Sequence, residues 1–120
     1  MKRFLVFSAL AITVLIIIGC STTYKNLRPS LPDLNNIQNG TYRGEYSLPK
    51  TPVSAVLDVT VQNHVLTAIK IIEHKCSPIG RKAESIIDRV IERQSLDVDA
   101  VSGATGSSKT ILMAVENALQ

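Results

Sequence analysis

The stretch that decides the fold is Val53-Ser54-Ala55-Val56-Leu57-Asp58-Val59-Thr60-Val61-Gln62-Asn63-His64-Val65-Leu66-Thr67-Ala68-Ile69-Lys70-Ile71-Ile72-Glu73. Ala55, Leu57, Val59 and Val61 recur at period two, while Asp58 and Thr60 take the other face, as in a half-buried β-strand. Asn63-His64 stands where a two-residue turn belongs, so Val65 to Glu73 is expected to return as the second strand of a hairpin. Upstream, Thr41-Tyr42-Arg43-Gly44-Glu45-Tyr46-Ser47 alternates and carries aromatics, which predicts another strand. Gly44 inside it marks a bulge or a close approach of backbones, and Pro49 and Pro52 punctuate the link to the hairpin.

Downstream, Ser77, Pro78 and Gly80 end the strand pattern. In Arg81 to Gln94 the apolar residues Ala83, Ile86, Ile87, Val90 and Ile91 follow the spacing of a one-faced helix. Its polar face carries mixed charges without a basic bias, which favours core packing over a membrane surface. A last helix is expected from about Ser108 to Leu119, with Ile111, Ala114, Val115 and Ala118 on one face. The expected fold is α+β: a small antiparallel sheet with a central β-hairpin, covered by two or three helices, over residues 40–120. A domain of that size has a thin core and gains stability from a bound cofactor.

The chain has 120 residues, 45% of them hydrophobic, with 13 Lys+Arg and 10 Asp+Glu. Residues 1–20 hold 15 of the 54 apolar residues, so the rest is an ordinary domain with 39 in 100. Met1-Lys2-Arg3 followed by an apolar run from Phe4 to Gly19 has the layout of a secretory signal. Ile17-Ile18-Gly19-Cys20 resembles a bacterial lipobox, in which the cysteine is acylated and becomes the first residue of the mature protein. The alternative for residues 1–19 is a retained membrane anchor. Both place the remainder outside the cytoplasm and tied to the membrane. Residues 20–39, with Pro29, Pro32 and several Asn, read as an extended tether, because Pro32 interrupts the helical spacing of Leu27, Leu31 and Leu34.

Without residues 1–19 the chain carries 11 Lys+Arg and 10 Asp+Glu, and no basic cluster tracks a phosphate backbone. That argues against nucleic acid as a partner. If Cys20 is lipidated, Cys76 has no partner for an internal disulfide and is expected to be a buried, inert thiol. His74 and Cys76 are two residues apart with no further ligand nearby, which argues against a metal site.

Chemistry concentrates in Leu96-Asp97-Val98-Asp99-Ala100-Val101-Ser102-Gly103-Ala104-Thr105-Gly106-Ser107-Ser108-Lys109-Thr110. Two glycines and several hydroxyl residues stand just before a helix, where free amides and the helix dipole favour an anion. The same composition also suits a serine-capped loop that binds nothing. Gly103 to Thr110 reads GATGSSKT, near the nucleotide-binding loop GxxxxGK[ST]. The glycine required before the lysine is Ser108 here, and no apolar strand leads into the loop, so that reading fails.

Asp99-Ala100-Val101-Ser102-Gly103-Ala104-Thr105, with Gly106-Ser107-Ser108 behind it, resembles the flavinylation signature of FMN-binding domains. Such domains occur in flavin-carrying subunits of sodium-pumping NADH:quinone reductase and related electron-transport complexes, and as small exported proteins. The resemblance extends to Gly40-Thr41-Tyr42-Arg43-Gly44, the hairpin, the amphipathic helix and the final helix. It implies FMN esterified through its phosphate to Thr105 by a separate flavin transferase that uses FAD. Gly103 and Ala104 leave Thr105 accessible, and the following helix start offsets the charge left on the phosphate. It also implies cofactor-binding roles for Asp99, Ser102, Gly106, Ser107 and Ser108; each has an ordinary structural reading as well. Lys109 either offsets phosphate charge or is solvated, and Tyr42 and Tyr46 either stack on the flavin or pack.

The expected function is that of a membrane-tethered, extracytoplasmic electron carrier between a membrane redox donor and an extracytoplasmic acceptor, rather than a self-sufficient enzyme. Two other readings stay open: a binding or sensory lipoprotein that holds FMN non-covalently or not at all, and a flavin-dependent reductase module.

Overall fold

In the computed structural model, which describes residues 27–120, the alternating segment becomes the middle strand of the sheet. Strands β1 (Gly40–Ser47), β2 (Ser54–Gln62) and β3 (Val65–Lys75) pair antiparallel in the order β1-β2-β3. Asn63 and His64 connect β2 to β3 with φ of 53° and 66°. Two successive positive φ values are the type I′ geometry, whose twist matches that of the strands it joins. The expected signal or anchor over 1–19 and the lipidation site at Cys20 lie outside the described residues. Among the described residues no helix is long and apolar enough to cross a membrane.

Ala55, Leu57, Val59 and Val61 are at most 1% exposed, and burial of the larger ones is worth about 1.5–3 kcal/mol each. Facing them on β3 are His74, Ile71, Ile69 and Leu66, in register. These four are spaced by three, two and three residues, which strict alternation does not put on one face. Two register shifts, between Val56 and Leu57 and between Thr60 and Val61, absorb the extra residues. The strand therefore runs two residues past the expected end at Glu73 and turns His74 inward, opposite the small Ala55.

The helix expected over Arg81 to Gln94 is divided. A 3-10 segment, Gly80–Ser85, leads into α1 (Ile86–Arg93). Ala83, Ile86 and Val90 are buried, and Ile87 and Ile91 pack at the edge of the core. Gln94 ends α1 in the left-handed region, and its side chain clamps β3. Its Oε1 accepts from the Leu66 amide at 2.8 Å while its Nε2 donates to the Leu66 carbonyl at 2.9 Å. Helix α2 (Thr105–Ala118) starts three residues before the expected Ser108. Glycine and serine are weak helix formers, but two buried hydroxyls are satisfied inside the turn. Ser108 Oγ donates to the Ala104 carbonyl at 2.7 Å and Thr110 Oγ1 to the Gly106 carbonyl at 2.8 Å.

α2 crosses the core face of β1 and β2, and α1 packs against β3. At Gly44 a Cβ would overlap the Ala114 carbonyl and stand 2.6 Å from the Ala118 nitrogen. Pairing of β1 with β2 runs unbroken through Gly44, so this glycine serves close approach and not a bulge. Asn117 Nδ2 donates to the Glu45 carbonyl beside it at 2.9 Å.

The described part of the segment expected to be an extended tether rests on the domain. Pro32 does limit it to a three-residue 3-10 turn, Leu34–Asn36, with Asp33 Oδ1 accepting from the Asn35 amide. Yet Leu31, Leu34 and Ile37 pack against the core. His64 Nδ1 lies 3.1 Å from the Leu34 carbonyl, and Lys109 Nζ donates to the Leu27 carbonyl at 3.4 Å. Apolar side chains on a small domain find cover whether or not their segment is helical.

Gly44→Ala is expected to cost about 3 kcal/mol, the upper end for overpacking, because both obstacles are backbone; a lowered urea midpoint checks it. On the outer face Arg43 and Asp58 are cross-strand partners, with Nε–Oδ1 at 2.8 Å and Nη2–Oδ2 at 3.1 Å. The hydrogen bond from Arg43 holds the Asp58 carboxyl below its ordinary value. A lowered folded pKa contributes stability above the unfolded carboxylate value, and loses it as pH falls through the folded one. Asp58→Asn should therefore lose stability less steeply than the parent on acidification below the ordinary carboxylate range, measured by urea unfolding from pH 7 downward.

Candidate functional site

The loop that joins α1 to α2 is built around a tight turn, Val101 to Ala104. The Ala104 amide donates to the Val101 carbonyl at 2.9 Å, and Gly103, third in the turn, has φ of +80°. That conformation suits glycine, and no heavy atom lies within 4 Å of where its Cβ would be. Ser108 ties both ends of the turn to α2. Its hydroxyl accepts from the Val101 amide at 3.0 Å and donates to the Ala104 carbonyl. Ala104 is buried at the helix start, and the chain leaves Ser102, Gly103 and Thr105 exposed.

Ala104 occupies the N-cap of α2 and offers no side-chain acceptor. The first backbone bond of the helix runs from the Ser108 amide to the Ala104 carbonyl at 2.9 Å. Among the described residues, the amides of Thr105, Gly106 and Ser107 and the Thr105 hydroxyl have no partner. Three free N–H groups at the positive end of a 14-residue helix favour an anion beside Thr105.

A cavity of about 370 Å³ opens at this point. One wall is the run Gly103 to Ser107; the other comes from Leu48, Thr51, Val53, Ser77 and Gly80. The second wall is held by its own bonds, Leu48 amide to Val53 carbonyl and Thr51 hydroxyl to Leu48 carbonyl, both 2.9 Å. Of the residues singled out in the sequence, Gly103, Ala104, Thr105, Gly106 and Ser107 share this cavity. Asp99 and Ser102 line a different groove, beside Arg89 and Glu92, and Arg89 Nη1 holds the Asp99 carbonyl at 2.7 Å. Ser108 lies beneath the loop, 0% exposed, with its hydroxyl engaged on both sides. Lys109 reaches toward Leu27, and Tyr42 and Tyr46 pack on the core, with the Tyr42 hydroxyl donating to the Gln38 carbonyl at 2.6 Å.

Sequence reasoning missed the far wall. Leu48, Val53, Ser77 and Gly80 come from two loops and carry no reactive group, so only the tertiary structure assembles them. It also missed the surroundings of His74, whose side chain is 1% exposed. Its Nδ1 is 3.3 Å from Glu84 Oε1 and 3.6 Å from Cys76 Sγ. Cys76 itself is half-buried and free. Among the described residues no group of three or more His, Cys, Asp or Glu is arranged to hold a metal ion.

Ser108→Ala is expected to leave the half-buried Val101 amide without its acceptor. The cost is about 1–3 kcal/mol, with faster hydrogen exchange at the Val101 and Ala104 amides than in the parent. Unchanged exchange at both would show that the turn holds without Ser108.

No curated protein matches the chain. The FMN-binding domain family matches residues 52–120, which takes in β2, β3, both helices and the Val101–Ala104 turn. β1 lies before the matched stretch and completes the sheet. With more than half its length matched, the chain belongs to the FMN-binding domain family.

Proposed function

We propose that this FMN-binding protein is a membrane-tethered, extracytoplasmic electron carrier whose FMN is joined through its phosphate to Thr105 Oγ. The observation that carries the reading is the unpartnered Thr105 hydroxyl, exposed on the first turn of α2 beside three free amides. A phosphodiester at that oxygen keeps one negative charge. The amides of Thr105, Gly106 and Ser107 are the donors that would hold it, and the dipole of α2 has the matching sign. The cavity alongside, with Leu48 and Val53 in its wall, offers apolar surface to the rest of the cofactor.

The chain supplies a nucleophilic oxygen but no base for it. Among the described residues, no His, Asp, Glu or Lys lines the cavity with Thr105. A threonine hydroxyl is a weak nucleophile unaided, so attachment requires a separate flavin transferase that binds the exposed turn. Glycine at position 103 keeps that turn narrow, and Ala104 tucks into the core, so Thr105 stands clear. When bound, flavin supplies one- or two-electron transfer, which suits a carrier between a membrane donor and an extracytoplasmic acceptor. The exposed position of Thr105 leaves a tethered cofactor within reach of such partners. The tether and the compartment rest on the N-terminal apolar run and Cys20, which read as a lipoprotein signal or an anchor.

Co-expression with a flavin transferase tests the covalent link. A denaturing gel should show a fluorescent band for the parent chain and none for Thr105→Ala. A dark parent band, or a fluorescent Thr105→Ala band, overturns the assignment.

A further inference from the structure

Among the described residues Cys76 is the one thiol, and it is half-buried instead of sealed in the core. It lines a cavity of about 690 Å³ beside the start of β2 and the end of β3, together with Pro52, Val53, Arg81 and Ser107. The loop after β3 puts it there. Ser77 Oγ accepts from the Gly80 amide at 3.2 Å and closes that loop. A Cβ at Gly80 would stand 2.6 Å from Ser107 Oγ and 2.9 Å from Cys76 Cβ. The cysteine and the serine hydroxyl therefore both pack on this glycine.

His74 Nδ1 lies 3.6 Å from the Cys76 sulfur and 3.3 Å from Glu84 Oε1. The tautomer with its proton on Nδ1 donates to the carboxylate and, once the thiol ionises, to the sulfur. It also leaves Nε2, which is buried and unpartnered, with no proton to satisfy. Ser107 is 7% exposed, yet its hydroxyl has no hydrogen-bond partner among the described residues. Buried hydroxyls are seldom left so. Arg81 likewise forms no hydrogen bond or ion pair with any described residue, whereas Lys75 is paired with Glu73 at 3.4 Å. One cavity thus holds a thiol, a free hydroxyl and a free cation, donors suited to an anionic group brought to the sulfur.

We propose that Cys76 is a site of thiol–disulfide exchange with small disulfides that carry a carboxylate. The Cys76 thiol loses its proton to water, and Sγ attacks one sulfur of the reagent. A bond forms between these two sulfurs as the reagent's own S–S bond breaks. The second sulfur leaves with the electron pair and takes a proton from water. One disulfide and one thiol stand on each side, so no further oxidant or reductant enters. The His74 Nδ1 proton holds the ionised sulfur, while Arg81 and the Ser107 hydroxyl hold the carboxylate. The residue expected to be an inert thiol becomes a modification site, and its chemistry is independent of the link at Thr105.

The test incubates the full chain with dithiodiglycolate, which is anionic, or cystamine, which is cationic, and follows the mixed disulfide at Cys76 by peptide mass spectrometry. Each rate is divided by that of the same chain in urea, which removes the intrinsic reactivity of the reagents. The expected ratio is several-fold higher for dithiodiglycolate than for cystamine. Arg81→Gln should lose this preference and Lys82→Gln keep it. Lys82 is the neighbouring exposed cation and does not line the cavity, so the two variants separate a built site from the general field. Equal ratios, a higher ratio for cystamine, or a folded chain whose Cys76 stays unmodified overturn the site. So does a preference that survives Arg81→Gln or disappears equally in Lys82→Gln. The comparison of reagents on the parent chain needs no variant and decides on its own if Arg81→Gln fails to fold.

Discussion

The site depends on how closely α2 lies on β1. Contact at Gly44, Ala114 and Ala118 is backbone against backbone, and no flexible side chain intervenes to take up error. A helix seated so firmly over its C-terminal half has little freedom at its other end. Thr105 is nine residues before Ala114, about 13 Å along the axis, and Ile111 and Leu112 are buried in the core between. The direction in which the first turn of α2 presents its amides is thus set by small residues far from the loop. Two loops then close around that turn, one beginning at Leu48 and the other at Cys76.

The start of α2 breaks a local rule. Serine, threonine, asparagine or aspartate at an N-cap contributes about 1 kcal/mol over alanine, and the loop contains several serines. Alanine nevertheless occupies the cap position, and Ser108 turns back beneath the loop instead of forward over the free amides. Burial of Ala104 and the two bonds of Ser108 offset the missing cap while leaving three donors unused. Departures of this kind from local consistency concentrate at functional sites. An anion that binds there returns the missing interactions and with them stability, an effect that matters for a domain whose core is two layers thin.

What could be read in the sequence was whatever has a short period. The alternation of Ala55, Leu57, Val59 and Val61 and the helical spacing of Ile86, Val90, Ile111 and Val115 correspond directly to buried faces. Asn63-His64 announced its turn because two adjacent positive φ values have few sequence solutions. Features that arise from irregularity were not legible. Two bulges in β3 turn His74 inward, against the alternation of its neighbours. Leu31, Leu34 and Ile37 pack without forming a regular helix. The loop around Gly103 stood out by composition, but composition could not separate Ser108, which holds the loop up, from Ser107, which faces the cavity. Gly44 and Gly80 both serve close approach, one of a helix backbone and the other of the side chains of Ser107 and Cys76.

The proposed covalent link also bears on how firmly the cavity must hold the cofactor. The walls around Thr105 offer a few apolar side chains and three amides, a modest set of contacts for a cofactor. A tether through the phosphate replaces the missing affinity with an effective concentration in roughly the millimolar range. Under that regime a shallow seat is enough to orient the ring. Weak seating also leaves the ring free to meet partners, whereas a deep, enclosing pocket would bind it well and hide it. For a carrier, the combination of a fixed attachment point and a loose seat is the more useful one, and a domain of this size has the core for little else.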